Sequence, residues 1–225
     1  MNPRDAWRDA FPAESAKKVV AYVIDTWNDL AARRLPAFSW SEREPTLTLT
    51  LKDMLKDNSR AAGLGKGWGG EDAFQRLDKT TLKRIKGFRT DITYHSNRDY
   101  PRELLLTFEW KKLKAGSSSN RAYYGSSGMG RFLEPEGYAK DEPFGVMVGI
   151  VESPEHLSIV QGLKRALGKE DVLGLLHVVP NADGQHLRAP SREMPGLADF
   201  DTEHVRHSGG FETFMFTHVF VTFPG

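Results

Sequence analysis

Residues 88–113 read FRTDITYHSNRDYPRELLLTFEWKKL, and the fold turns on them. With Gly87 before it, GFRTDITYH is rich in β-branched and aromatic residues and is predicted as a strand. HSNRDYP supplies turn formers, and RELLLTFEWKKL is predicted as the partner strand of a hairpin with a slightly long connection. The unbroken apolar run Leu104-Leu105-Leu106-Thr107-Phe108 suits a central strand covered on both faces.

Working outward, Glu14 to Arg34 carries Val19, Val20, Val23, Ile24, Trp27 and Leu30 at helical spacing and is expected to pack on something larger; Pro36 closes it. PTLTLTLKDMLKD has a strand-like alternation, but Pro45 at a first helical position favours a second helix, so the N-terminal helices are placed within 14–57. Ala61 to Gly70, AAGLGKGWGG, lacks the Gly-Lys-Ser/Thr of a phosphate-binding loop and is expected to be a mobile surface loop. Downstream, KAGSSSN is expected as a loop, followed by a helix or turn through Arg131-Phe132. FGVMVGIV (144–151), VLGLLHVVP (172–180) and FETFMFTHVFVTF (211–223) are expected as strands, with HLSIVQGLKRALG as a helix between the first two. Residues 1–225 are therefore predicted as one α/β domain, a mixed β-sheet flanked by helices, with the C-terminal strands and helix across 144–223.

Composition sets the limits. The 225 residues suffice for one α/β domain, and 39% apolar with 27% charged residues is ordinary for a globule. No stretch approaches the roughly 20 apolar residues that span a bilayer. MNPRDAWRDAF has no apolar signal region, and zero cysteines exclude disulfides and thiolate zinc sites, so a cytoplasmic protein is expected. A net charge of +1 excludes a bulk polycationic binder but not a local basic surface.

The chemistry concentrates in the hairpin. Positions i and i+2 of a strand share a face, so Glu109 and Lys111 project together while Trp110 turns into the core. Strand pairing brings Asp91 beside them. Burying such charges is costly unless they are paired or hold a cation. Two hard oxygen ligands with room for water and phosphate describe a Mg²⁺ site, and a lysine beside it serves phosphate charge or the attacking water. Glu109-Trp110-Lys111 is the only acidic-x-Lys tripeptide in the chain. The plainer reading is an ion pair on an edge strand.

R-T-D-I-T-Y followed by L-L-T-F-E-W-K-K-L resembles the core of the PD-(D/E)XK nuclease superfamily, which includes restriction endonucleases and phage-defence nucleases. The resemblance implies a restriction-endonuclease-like core and Mg²⁺- or Mn²⁺-dependent hydrolysis of DNA. It assigns Asp91 and Glu109 as metal ligands, the Trp110 main-chain carbonyl as a further oxygen ligand, and Lys111 as the group acting on water or phosphate. A preceding helix often supplies another acidic residue in that family. Glu44 stands in that place, to orient a water or hold a second metal, with Glu42 its near competitor. YYGSSGMGRF, Tyr138-Ala139 and PFGVMVGIV extend the likeness, which spans Glu42 to Val151. Thr90 stands where the naming proline would precede Asp91. Asn120-x-x-x-Tyr124 stands where RecB-like members carry Gln-x-x-x-Tyr.

Basic residues flank the hairpin: Lys79, Lys83, Arg84, Lys86 and Arg89 before it, and Lys112, Lys114 and Arg121 after it. With Tyr124 they form a candidate DNA surface, phosphate contacts from Lys and Arg supplying most non-specific affinity; a solvated helix face is the alternative. His177 and His218 are expected as hydrogen-bonded core histidines. His204 and His207, beside Asp201 and Glu203, are expected in a loop and make a poor zinc pair. Ser-His-Asp catalysis lacks its G-x-S-x-G elbow. No DNA-reading motif is visible, so specificity would come from dimerisation, DNA structure, or a partner such as an ATPase or sensor in a bacterial restriction or anti-phage setting. Two rivals stand beside the nuclease: a catalytically silent DNA-binding or assembly subunit of the same fold, and an unrelated α/β interaction domain in which Asp91 and Lys111 form a buried ion pair.

Overall fold

The computed structural model describes residues 11–65, 67–70, 76–77, 84–85, 91–96, 104–115, 117–134, 138–139, 142–207 and 210–224. Two helices come first among the described residues, α1 (Ala13–Ala32) and α2 (Glu44–Asn58). Short strands follow: β1 (Trp68–Gly69), β2 (Arg76–Leu77) and β3 (Arg84–Ile85). The expected hairpin forms β4 (Ile92–His95) and β5 (Leu105–Lys112); its connection lies outside the described residues. Then come α3 (Ser117–Tyr124), α4 (Gly130–Leu133), β6 (Phe144–Glu152), α5 (His156–Leu167), α6 (Glu170–Leu175), β7 (Phe200–Val205) and β8 (Thr213–Phe223).

Six strands form one mixed sheet in the order β1-β4-β5-β6-β8-β7, and β2 pairs with β3 apart from it. β1, β4 and β5 run antiparallel to their neighbours, whereas β5, β6 and β8 are parallel. Parallel pairing requires crossover connections, supplied by α3 and α4 and then by α5 and α6. β7 folds back antiparallel on β8 as one edge.

Alternation along the central strands builds two cores. Val146, Val148 and Ile150 join Leu106, Phe108 and Trp110 beneath α1 and α2. Met147 and Val151 face the other way, toward Leu113, Tyr123, Phe132 and Leu163. Trp27 of α1 stacks on Trp110 with ring centroids 5.4 Å apart, so the residue between Glu109 and Lys111 is anchored in the first core. Among the described residues no helix is long and apolar enough to cross a membrane.

Several expectations are corrected. Residues 172–180 are not a strand. Glu170–Leu175 is α6, with Val172 and Leu176 buried four residues apart, and only Val178 makes a single bridge, to His204. Two acidic residues at the start of the segment favour helix, and a short apolar run does not distinguish the two periods. His177 follows α6 on the exposed surface at φ 50°, outside the core. His204, expected in a loop, lies in β7. The Ser-rich segment is the first turn of α3.

The glycine-rich segment is not a mobile surface loop at its C-terminal end. Trp68 pairs with Tyr94 and is buried. A Cβ on Gly67 would fall 1.7 Å from the His95 carbonyl oxygen, and one on Gly70, at φ 137°, 2.3 Å from that of Asp91. These glycines exist for close backbone approach to β4.

Candidate active site

β4 begins at Ile92, whose register partner is Phe108, while β5 continues to Lys112. Beyond Phe108 no strand among the described residues pairs with β5 on its β4 side, and its main-chain groups there meet other partners. Carboxylates and one ammonium supply them. Asp91, immediately before β4, accepts the Trp110 N–H on Oδ2 at 2.8 Å. Glu44, the first residue of α2, accepts the Lys112 N–H on Oε2 at 2.7 Å. Lys111 Nζ donates to the Trp110 carbonyl at 2.8 Å.

The same ammonium ties the acidic groups together. It donates to Glu109 Oε1 at 2.7 Å and to Glu44 Oε1 at 3.3 Å. Glu109 is fully buried, and Lys111 nearly so. The expected positions Glu44, Asp91, Glu109 and Lys111 are thus brought together by α2, β4 and β5 around the Trp110 peptide. Glu42 does not join them: its carbonyl accepts from Lys112 Nζ. The ion pair of the second rival reading forms between Lys111 and Glu109, not between Lys111 and Asp91.

Arg131 of α4 was not among the expected site residues. Its Nη1 reaches Glu109 Oε1 at 3.3 Å and donates to the Tyr138 hydroxyl at 2.7 Å. A lone arginine among the buried Met129 and Phe132 is the local trace of this role, but no spacing rule links it to Glu109.

The electrostatics follow from burial. Desolvation raises the Asp91 carboxyl to about 6, against the pull of Lys111 and the Trp110 N–H. Desolvation and the neighbouring Asp91 charge push Glu109 up to about 8. Burial opposes the Lys111 charge, yet Glu109, Glu44 and Asp91 outweigh it and hold the ammonium above its usual range. Glu109 Oε2 is buried without a hydrogen-bond partner among the described residues. That orphaned oxygen and the raised carboxyls are what a hard cation would satisfy, so the donor set fits Mg²⁺ or Mn²⁺. Among the described residues no group of three or more His, Asp or Glu forms a ready-made cage. The fit therefore rests on two carboxylates, the Trp110 carbonyl and water.

Of the expected DNA-binding residues, Lys83, Lys86 and Arg89 lie outside the described residues, as do Lys79 and the side chain of Arg84, whose backbone is in β3 and not in a helix. Lys112 is committed elsewhere. Its Nζ donates to the carbonyls of Trp40 and Glu42 and sits 4.2 Å from the centroid of the Trp40 ring. Lys114 and Arg121 are exposed, and Tyr124 is half-buried.

His218 is a core histidine, as expected, in a chain of buried hydrogen bonds. The Leu176 carbonyl can only accept, so His204 donates to it from Nδ1 at 2.8 Å. With both rings neutral, Thr202 must then donate to His204 Nε2, His218 Nε2 to Thr202, and the Tyr123 hydroxyl to His218 Nδ1. Both nitrogens of His204 are occupied, which removes it as a zinc ligand.

Compared with protein-family models, curated proteins and solved structures, the chain finds no match.

Proposed function

We propose that the chain is a divalent-metal-dependent nuclease that hydrolyses DNA phosphodiester bonds, built on a restriction-endonuclease-like core. One observation carries the reading. Asp91, just before β4, and Glu109-x-Lys111, on the adjacent antiparallel β5, meet Glu44 from the preceding helix around a single peptide group, with a buried Glu109 oxygen unsatisfied among the described residues.

In this reading Asp91, Glu109 and the Trp110 carbonyl hold Mg²⁺ or Mn²⁺, with Glu44 reaching it directly or through water. When bound, the metal supplies an acidified water and neutralises phosphate charge. The chain's own groups do the rest. Trp110, locked against Trp27, fixes its carbonyl beside Asp91 and Lys111. Held as an ammonium, Lys111 serves negative charge developing on the phosphate instead of acting as a base. Arg131 keeps Glu109 in place. Lys114, before α3, and Arg121, within it, are exposed and would contact the DNA backbone. An effector role in bacterial restriction or anti-phage defence, as a homodimer or with an ATPase or sensor protein, belongs to the same proposal.

The test is incubation of end-labelled DNA and RNA of one sequence with Mg²⁺, comparing wild type with Asp91→Asn. DNA products from the wild type alone are expected. RNA products alone would overturn the substrate assignment.

The buried Glu109–Lys111 contact favours one second reading, a purely structural ion pair. Removing one partner of such a pair costs about 3–5 kcal/mol, and replacing both with apolar groups restores it. A Glu109→Leu/Lys111→Met double variant as stable as wild type, in a protein that binds no Mn²⁺, would select that reading.

A further inference from the structure

We propose that the Lys111 ammonium holds the place of the divalent cation while the site is unloaded, so that loading exchanges one cation for the other. This inference rests on the metal-nuclease reading and concerns how that site is filled.

Among the described residues Lys111 Nζ has three oxygen partners: Glu109 Oε1 at 2.7 Å, the Trp110 carbonyl at 2.8 Å and Glu44 Oε1 at 3.3 Å. These three residues are also assigned to the metal. An ammonium with three donors and a hard dication ask for the same kind of surroundings, several oxygens carrying negative charge. Both cannot take the same oxygens, because each would bring a positive charge against the other.

Position and freedom separate Lys111 from the other cation of the site. Arg131 is held from outside by the Tyr138 hydroxyl and stays on Glu109. Among the described residues Lys111 Nζ is held by oxygens of three residues assigned to the metal, Glu109, Trp110 and Glu44, and by Coulomb attraction to Asp91. Its four-carbon stem has the rotatable bonds to swing clear. The exchange has two consequences. Unloaded, the carboxylates keep a counter-ion and the fold is not strained by their repulsion. Loaded, the lysine is released at the moment a phosphate needs it, so charge compensation and metal binding are coupled through one side chain.

The test is calorimetric titration of the full chain with Mn²⁺, comparing wild type, Lys111→Met and Asp91→Asn. If the lysine leaves the oxygens about a tenth of the time, Lys111→Met should bind Mn²⁺ about tenfold tighter than wild type, although it is the variant expected to lose cleavage. Asp91→Asn should bind weaker. Wild-type binding with no gain in Lys111→Met would overturn the exchange and leave the metal site standing. No binding by either protein would remove both.

A second measurement needs no variant. Acylation of wild-type lysines, read by mass spectrometry, should speed up at Lys111 when Mn²⁺ is added, with the exposed Lys114 as internal reference. Unchanged or slower labelling of Lys111 would contradict the exchange.

Discussion

The carboxylate of Asp91 accepts the main-chain N–H of Trp110 at 2.8 Å. Asp91 thus supplies a backbone acceptor just beyond the Ile92–Phe108 pair while its charge faces Glu109 and Lys111. Structural and chemical roles meet in one side chain, and two substitutions separate them. Asp91→Asn keeps an acceptor for the N–H and removes a charge whose burial is unfavourable. It should leave the metal-free protein at pH 8 as stable as wild type or about 1 kcal/mol more stable, after discounting for partial exposure. Asp91→Ala orphans the N–H and should cost about 1–3 kcal/mol. Both should lose the Mg²⁺-induced rise in Tm. Thermal unfolding with and without Mg²⁺ checks this, and a large loss in Asp91→Asn would contradict it.

Gly70 tests the scaffold beneath that residue. At φ 137°, with the Asp91 carbonyl 2.3 Å from a would-be Cβ, Gly70→Ala forces the backbone apart and is strained by its own conformation. A cost of about 1–3 kcal/mol is expected, together with weaker Mn²⁺ binding because Asp91 moves. Chemical denaturation and calorimetry report the two effects separately, and normal values in both would show that the segment is as loose as its composition suggests.

The buried histidines set an acid limit. Burial pulls His204 down from 6.5 to about 4, and it pulls His218 well below 6.5 too. A base whose folded pKa is depressed contributes stability that is present above the unfolded value and lost as pH falls through the folded one. The protein should therefore lose a few kcal/mol between pH 6.5 and 4, the shift on His204 alone corresponding to about 3 kcal/mol. Urea melts across that window should show the slope, and His218→Gln should flatten it while lowering stability at pH 7. An unchanged slope in the variant would place the acid sensitivity elsewhere.

Much of this was legible in the sequence, and what was not has physical reasons. Period-two alternation placed Glu109 and Lys111 on one face and Trp110 on the other, and Pro45 marked the helix that delivers Glu44. The strand β7 was hidden because Asp201, Glu203 and His204 are buried there among apolar neighbours. Their cost is met by partners far along the chain, such as Ser191 and the Arg192 N–H for Asp201. The run 172–180 misled because its apolar residues suit either period. Glycines at 67 and 70 looked like flexibility, whereas they permit contact. Arg131 reaches Glu109 only through the crossover from β5 to β6, which no local pattern encodes.

The basic residues divide by their partners. Lys112 is spent on the Trp40 and Glu42 carbonyls, so Lys112→Ala should cost about 1–2 kcal/mol and leave DNA affinity nearly unchanged. Lys114→Ala and Arg121→Ala should do the reverse, each weakening duplex binding and lowering the salt slope by about 1. Fluorescence anisotropy at several salt concentrations separates the two classes. Equal losses of affinity in all three variants would contradict the assignment.

The central claim, that Asp91, Glu109, Lys111 and Glu44 form a phosphodiester-cleaving site, is tested most directly on supercoiled plasmid. Wild type and Lys111→Ala are incubated with Mg²⁺, Mn²⁺ or chelator. The account predicts nicked or linear products with metal and wild type, and none with chelator or Lys111→Ala. Cleavage that persists in Lys111→Ala, or a wild-type protein that neither cuts the plasmid nor binds Mn²⁺, would contradict it.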